Sequence, residues 1–214
     1  GVQTCALPIS EMFQLKPVTY SIIPDRIEAG TFLIAGAITR SNITINKVIP
    51  EHFQACIDIL SEMGFVIAGG DNSITIEPSK KLQGSMIRTL PYPGFPTDLQ
   101  APIMSLMCTI PGISVIIETI FENRYTHVGE LRRMGADIEI EGNVAVVKGG
   151  NQLQAAPVMM SDLRAGASLV LAALAAKGQT EIRRIYHTDR GYENFEQKLQ
   201  SLGADIQRVK GGKP

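Results

Sequence analysis

The chain has no tryptophan, only three cysteines and no long apolar run, and the last two shortages each exclude a class of protein. Three cysteines without metal-ligand spacing provide neither a zinc site nor a disulfide framework, which predicts a reducing compartment, the cytoplasm. No apolar run reaches the roughly 18 residues of a membrane span. The three histidines also lack the spacing of a metal site or a catalytic triad, so we expect neither a metal nor a cofactor.

An excess of charge of one sign is also missing. Twenty Lys and Arg stand against 21 Asp and Glu, for a formal net charge of -1. With the basic residues dispersed, this balance argues against nucleic acid or an anionic membrane as the partner and favours single basic ligands for small anions. At 44% hydrophobic and 19% charged, the 214 residues are ordinary globular material, enough for one large domain or two small ones.

What the chain does contain is a repeat. Three segments begin with an aspartate before an apolar helix rich in Gly and Ala, continue into an alternating strand, and then form an amphipathic helix that ends on a glycine. The intervals from aspartate to glycine are 39, 37 and 41 residues, namely Asp25 to Gly64, Asp98 to Gly135 and Asp162 to Gly203. Three copies of nearly constant length predict a repeated supersecondary unit.

Each terminal glycine predicts a left-handed helix cap, and a hairpin pattern follows the first two. The unit is therefore helix, strand, helix, strand, strand, with copies at about residues 24–90, 91–160 and 161–209. We expect an extra strand near Lys16 to Ile22, before the first copy. The third copy should end with a strand at Ile206 to Val209 and lack its closing strand.

The first helix of each copy is apolar nearly all round, as in Ala165 to Leu174, so it should be buried. Three such helices can pack at a centre with the sheets and the amphipathic helices outside. The predicted fold class is thus α/β, with three repeated units around a pseudo-threefold axis. The helix N-termini would share one face, where helix dipoles and free N–H groups favour an anion such as a phosphorylated ligand.

The stretch from Tyr92 to Gln100 has the most restricted backbone, because its prolines fix φ while Gly94 permits an unusual conformation. Within this stretch, Asp98 precedes an apolar run that has Pro102 in its first turn. This is the pattern of an N-cap. The residues alone therefore predict that Asp98 caps its helix, and they leave a catalytic role open beside capping.

Residues 1–10 are expected to be foreign to the fold. Gly1 to Ile9 resembles the peptide that one reading frame of a common sequencing-library adapter encodes. We expect this segment to be disordered or loosely attached, and residues 11–214 to form the domain.

Five stretches of the chain resemble the bacterial UDP-N-acetylglucosamine enolpyruvyl transferases: Ile23 to Phe32, Phe95 to Asp98, Glu118 to Arg124, Asp162 to Ala165, and Ile185 to Tyr192. The resemblance runs from Met12 to about Lys210 and corresponds to the C-terminal half of that family. It implies an inside-out α/β barrel, here incomplete, with the active site in a cleft between two domains.

The resemblance also implies a reaction. That family moves the enolpyruvyl group of phosphoenolpyruvate to the 3-hydroxyl of UDP-N-acetylglucosamine and releases phosphate, the first committed step of peptidoglycan precursor synthesis. By matching position, Asp98 would hold the 3-hydroxyl and act as its base, Ile120 would contact the sugar nucleotide, and Arg190 would bind phosphoenolpyruvate. Arg124 and Arg164 match supporting arginines of the cleft, where a planar guanidinium suits carboxylate or phosphate.

Other parts that the resemblance implies lie outside this chain. The family's proton-donating loop cysteine or aspartate, a lysine for phosphoenolpyruvate and most uridine contacts belong to the N-terminal domain, which would be this chain's partner. We therefore expect the chain alone to be inactive. The family also threads its N-terminal segment into the second domain, which would supply the missing strand. Two alternatives stay open: the shikimate-pathway enolpyruvyl transferase, and a non-catalytic repeat domain that binds a phosphorylated ligand.

Overall fold

The computed structural model describes residues 17–209, so the expectation for residues 1–10 lies outside the described part. The first unit comprises α1 (Arg26–Thr39), β1 (Ile43–Asn46), α2 (Gln54–Glu62), β2 (Val66–Gly70) and β3 (Ser73–Glu77). The second comprises β4 (Met86–Arg88), α3 (Gln100–Thr109), β5 (Gly112–Ile117), α4 (Val128–Arg133), β6 (Asp137–Glu141) and β7 (Val144–Gly149). The third comprises β8 (Val158–Met159), α5 (Leu163–Ala175), β9 (Ile182–Arg183) and α6 (Phe195–Ser201). Short 3-10 helices cover Pro50–Phe53, Thr97–Leu99 and Ile185–Arg190.

The helices α1, α3 and α5 form the centre of the domain, and each contacts the other two. Most of their residues are buried, as expected for helices that are apolar nearly all round. Small residues allow the close approach: at the crossing of α3 and α5 the hydroxyls of Ser105 and Ser168 lie 2.7 Å apart. The predicted centre of three buried helices is confirmed.

Within residues 17–209, three sheets lie outside these helices, one for each unit. Their strand orders are β1-β3-β2, β4-β5-β7-β6 and β8-β9. The two predicted hairpins are present, with Gly70 opposite Ser73 in the first and Glu141 opposite Val144 in the second. The glycines that end the amphipathic helices, Gly64, Gly135 and Gly203, have φ of +101°, +91° and +94°, which confirms their predicted left-handed conformation.

The strands β4 and β8 were not predicted. Each precedes the first helix of its unit and pairs in parallel with the strand that follows that helix, β4 with β5 and β8 with β9. They are three and two residues long, too short for an alternating pattern to distinguish them from a loop.

Other predicted strands are wrong or shortened. Residues 17–22 form no strand, and Lys16 lies outside the described residues. Residues 206–209 form none either, and the alternating strand predicted after the first helix of the third unit is reduced to the two residues of β9. A strand is stabilised by hydrogen bonds to its neighbours, and within residues 17–209 the third sheet contains only β8 and β9, so residues 206–209 have no strand to pair with.

None of the helices within residues 17–209 is both long and apolar enough to cross a bilayer.

Candidate functional site

Asp98 lies between two arginine side chains. Its Oδ1 accepts a hydrogen bond from Nη2 of Arg124 at 2.8 Å, and its Oδ2 accepts one from Nη2 of Arg164 at 3.2 Å. The side chains of Arg124 and Arg164 are 17% and 16% exposed, whereas that of Asp98 is 39% exposed. The carboxylate is therefore within reach of a molecule in solvent, while both of its partners are held largely within the protein.

Three separate segments bring these residues together. Asp98 is in the 3-10 turn Thr97–Leu99 that leads into α3, Arg164 is in the first turn of α5, and Arg124 lies in the loop between β5 and α4. Because α3 and α5 pack side by side, their first turns meet at one end of the helix bundle. The contact between Asp98 and Arg164 confirms the prediction of a shared face for these two N-termini.

Asp98 does not cap its helix, so that prediction is wrong. At the same repeat position, Asp25 accepts from the backbone N–H groups of Ile27 and Glu28, and Asp162 accepts from those of Arg164 and Ala165. The inserted 3-10 turn moves the start of α3 to Gln100, and no side chain makes a capping hydrogen bond there. The Asp98 carboxylate is thus free of the helix backbone and binds the two arginines instead.

A chain of polar contacts extends from Arg164 to the first helix. Nη1 of Arg164 lies 3.4 Å from the hydroxyl of Tyr192, which lies 2.9 Å from Oγ1 of Thr31 on α1. Burial by itself lowers the pKa of Arg164, but Tyr192 and Asp98 raise it, and the net shift is upward. The three central helices therefore share one network, in which Arg164 stays charged.

The apolar periodicity of the third amphipathic helix predicts Tyr192 on its buried face; the structure starts that helix, α6, only at Phe195, but the Tyr192 ring is buried and stacks on Phe195 at 4.7 Å. Apolar periodicity places the ring in the core, but it does not indicate that the hydroxyl reaches Arg164.

The charges at Asp98 favour an anion. One carboxylate faces two guanidinium groups, so the cluster carries a net charge of about +1. Arg124 is further held by the Phe121 ring, whose centroid lies 5.0 Å from its Cζ, and by the Thr97 carbonyl oxygen at 3.4 Å. Two preorganised guanidinium groups beside an exposed acceptor can bind a carboxylate or phosphate and also accept a hydrogen bond from a hydroxyl.

The other two predicted site residues are placed apart from these contacts. Ile120 is 42% exposed in the loop after β5, and its N–H donates to Glu118 at 2.8 Å. Arg190 is exposed at the end of the 3-10 helix Ile185–Arg190, and within residues 17–209 its guanidinium makes no ion pair. The structure therefore joins Asp98, Arg124 and Arg164, but it does not join Ile120 or Arg190 to them.

Several buried polar atoms near this cluster lack a hydrogen-bond partner among the described residues. They include Nε of Arg124, Nε2 of His127 and both amide atoms of Gln100. Burial lowers the pKa of His127 to about 4, with Asp162 acting in the opposite direction and Arg124 in the same direction. His127 is therefore a neutral side chain packed behind the cluster.

Two cavities lie elsewhere on the domain. One of about 380 Å³ lies at the opposite end of the helix bundle, between Thr39, Thr109 and Ala175. The other, of about 470 Å³, lies between α1, β1 and α6. Neither is lined by Asp98, Arg124 or Arg164, so the cluster lies outside both of these cavities.

Comparisons with known proteins agree on one group of enzymes. The model of the EPSP synthase (3-phosphoshikimate 1-carboxyvinyltransferase) family matches residues 8–199. A UDP-N-acetylglucosamine 1-carboxyvinyltransferase 2 of Prochlorococcus marinus is 54% identical over 209 residues, which are 98% of this chain and 49% of the relative. A UDP-N-acetylglucosamine 1-carboxyvinyltransferase of Geotalea daltonii is also 54% identical, with 98% and 50% covered. The chain spans about half the length of the curated relatives it matches.

Solved structures show the same fold. The enolpyruvyl transferase NikO from Streptomyces tendae superimposes with a TM-score of 0.80 at 29% identity, over 87% of this chain and 44% of NikO. An EPSP synthase from Acinetobacter baumannii gives a TM-score of 0.64 at 18% identity, over 89% of this chain and 44% of that protein, a likeness of fold alone.

Proposed function

The chain belongs to the EPSP synthase family, and on that premise we propose that residues 11–214 are the second domain of an enzyme that transfers enolpyruvyl from phosphoenolpyruvate to the 3-hydroxyl of UDP-N-acetylglucosamine, with release of phosphate. The observation that carries the proposal is the exposed Asp98 carboxylate between Arg124 and Arg164. This reaction needs a base for a hydroxyl and cations for a phosphate and a carboxylate. The cluster contains both kinds of group.

In this proposal each residue has a distinct role. Asp98 accepts the proton of the 3-hydroxyl, and its exposure lets the sugar reach it. Arg124 and Arg164 hold Asp98 in place and stabilise the negative charge of the reacting groups. Ile120 contacts the sugar nucleotide from the loop after β5, and the exposed Arg190 binds phosphoenolpyruvate.

The exposure of the Asp98 carboxylate supports the second half of the proposal, that the N-terminal domain completes the site. A cleft that excludes water needs a second wall, and neither of the two cavities described above includes the cluster. The reaction takes place in the cytoplasm, where buried free thiols such as Cys56 and Cys108 stay reduced. The chain alone should release no phosphate from the two substrates.

Two other functions compete with this one. Relatives at 54% identity carry the sugar-nucleotide name, whereas an EPSP synthase of known structure is 18% identical, which favours UDP-N-acetylglucosamine over shikimate phosphate as the acceptor. Calorimetric titration of the full-length protein with each acceptor separates the two. The third candidate, a binding module without turnover, predicts ligand binding without phosphate release.

The deciding experiment replaces Asp98 in a full-length protein, restored by joining this chain to the other half of the Geotalea daltonii relative. Asp98→Asn keeps the shape of the side chain but removes the base, so kcat should fall by about 10²–10⁴. Phosphate release from phosphoenolpyruvate and UDP-N-acetylglucosamine is the assay. Asp58→Asn is the matched control, because Asp58 is exposed on α2 and, within residues 17–209, its carboxylate hydrogen-bonds only to Gln54.

Unchanged turnover in the Asp98→Asn variant would show that Asp98 is not the base of the reaction. Equal losses in both variants would mean that the substitution acts on folding.

A further inference from the structure

Glu118 is a buried carboxylate that the proposed function does not use. It follows β5, is 2% exposed, and among residues 17–209 it forms no ion pair. Its Oε1 accepts from the hydroxyl of Thr89 at 2.7 Å and from the N–H groups of Ile120 and Phe121 at 2.8 and 3.1 Å. Its Oε2 accepts from the hydroxyl of Thr97 at 2.9 Å. Four donors thus replace the water that a buried carboxylate loses.

These four bonds join two segments of the site. Thr97 directly precedes Asp98 in the 3-10 turn, so the bond from Thr97 to Oε2 fixes the start of the turn that carries Asp98. The bonds to Oε1 fix the loop after β5, where Phe121 lies against the guanidinium of Arg124. One side chain therefore sets the position of Asp98 and of its partner Arg124 at the same time.

The 3-10 turn depends on contacts of this kind because Asp98 does not cap its helix. Asp25 and Asp162 are each held by two N–H groups of the helix that follows. Asp98 has no such bond, so its backbone position depends on what holds the 3-10 turn. Within residues 17–209, the side-chain hydrogen bonds to that turn from outside α3 are those of Glu118 with Thr97 and of Arg124 and Arg164.

We propose that Glu118 is a positioning residue, which acts through Thr97 and the Ile120–Phe121 loop to hold Asp98 and Arg124 in the geometry of the transfer reaction. The inference rests on the proposed function for its chemistry, whereas the geometric part stands on the contacts of Glu118. Glu118 itself touches no reacting atom.

Two substitutions test the connection in the same full-length protein. Thr97→Val removes the hydroxyl at nearly constant volume, and Glu118→Gln removes the charge and one acceptor oxygen, so that either the Thr97 hydroxyl or the donors at Oε1 lose their acceptor. Since a misplacement of about 1 Å can cost about 10²-fold, each should lower kcat by roughly 10–10², with a much smaller change in KM for phosphoenolpyruvate. Thr97→Ser keeps the hydroxyl and should retain most of the activity.

A double variant and a control sharpen the result. Thr97→Val combined with Glu118→Gln should lose little more than Glu118→Gln alone, because both changes act on the contact between these two side chains. Thr44→Val removes a threonine hydroxyl that bonds Thr75 on the exposed face of the first sheet, and it should leave kcat unchanged. If Thr97→Ser is as impaired as Thr97→Val, or if the two effects simply add, the positioning role is overturned.

Crystal structures of the parent, Thr97→Val and Glu118→Gln proteins separate this inference from the proposed function. A parent that releases no phosphate would refute the proposed function, and the positioning role would then be decided by these structures alone. We expect the Asp98 carboxylate to shift by about 1 Å or more and to lose its contact with Arg124. An unmoved carboxylate in both variants would overturn the inference whatever the activity.

Discussion

The buried His127 should make the stability of the domain depend on pH in a defined window. Burial lowers the pKa of this imidazole from its ordinary value of 6.5 to about 4; the charge of Asp162 opposes the shift, and the charge of Arg124 adds to it. The folded chain therefore keeps His127 neutral where the unfolded chain protonates it. Stability is fully present above about pH 6.5 and is lost as the pH falls toward about 4.

The size of the effect follows from that window. Each pH unit between the two pKa values corresponds to about 1.4 kcal/mol, so a change from pH 7.5 to pH 5.0 should cost roughly 2 kcal/mol through His127. Asp162 interferes little in this range. Although burial raises its pKa, hydrogen bonds from Ala165, Ser161, Arg164 and Thr126 lower it overall, so its titration falls at lower pH.

Urea unfolding of the chain at the two pH values, followed by circular dichroism, measures the difference. His127→Asn has no titrating side chain at this position. Between pH 7.5 and pH 5.0 its free energy of unfolding should therefore fall by about 2 kcal/mol less than that of the parent, whatever the stability of the variant at pH 7.5. His52→Asn is the control, since His52 is only partly buried in the 3-10 helix Pro50–Phe53. An equal pH dependence in the parent and in His127→Asn would refute the reasoning.

Two further predictions concern the helices. A Cβ at Gly166 would lie 2.7 Å from the sulfur of Met160 and 2.9 Å from the Thr188 methyl, so Gly166→Ala should destabilise the chain by about 1–3 kcal/mol. Gly129 has nothing within 4 Å of the added carbon, and Gly129→Ala should be neutral or stabilise by up to about 1 kcal/mol. Asp25→Ala should cost about 1 kcal/mol through loss of the cap, and Asp25→Asn much less. Urea midpoints at pH 7.5 test all four, and a Gly166→Ala variant as stable as Gly129→Ala would contradict the first prediction.

The parts of the fold that could be predicted are those with a local cause. The hairpin from Asp137 to Lys148 follows from alternating residues around Gly142 and Asn143, and the ends of the amphipathic helices follow from glycines in a left-handed conformation. The strands β4 and β8 are stabilised by parallel pairing with β5 and β9, which lie beyond the intervening helices. No pattern within two or three residues carries that information.

In the site, too, some features follow from local sequence and others depend on residues that are distant along the chain. The repeat and the family motifs brought Asp98, Arg124 and Arg164 to notice, and the structure joins them. The repeat misled in one respect, because it predicted a cap at Asp98 from the behaviour typical of its equivalents. The single-turn 3-10 helix before α3 makes the difference, and its Thr97 contacts Glu118, which is distant in sequence and directly follows β5.

The two-stranded third sheet has a consequence for how the chain behaves in solution. Within residues 17–209, β9 has a neighbour on one side only, and so does β1 in the first sheet. The free side of each strand presents unpaired N–H and C=O groups, which can pair with a strand of another molecule. The isolated chain should therefore associate in a concentration-dependent way. A peptide that adds a strand to either edge should prevent this association and keep the chain monomeric.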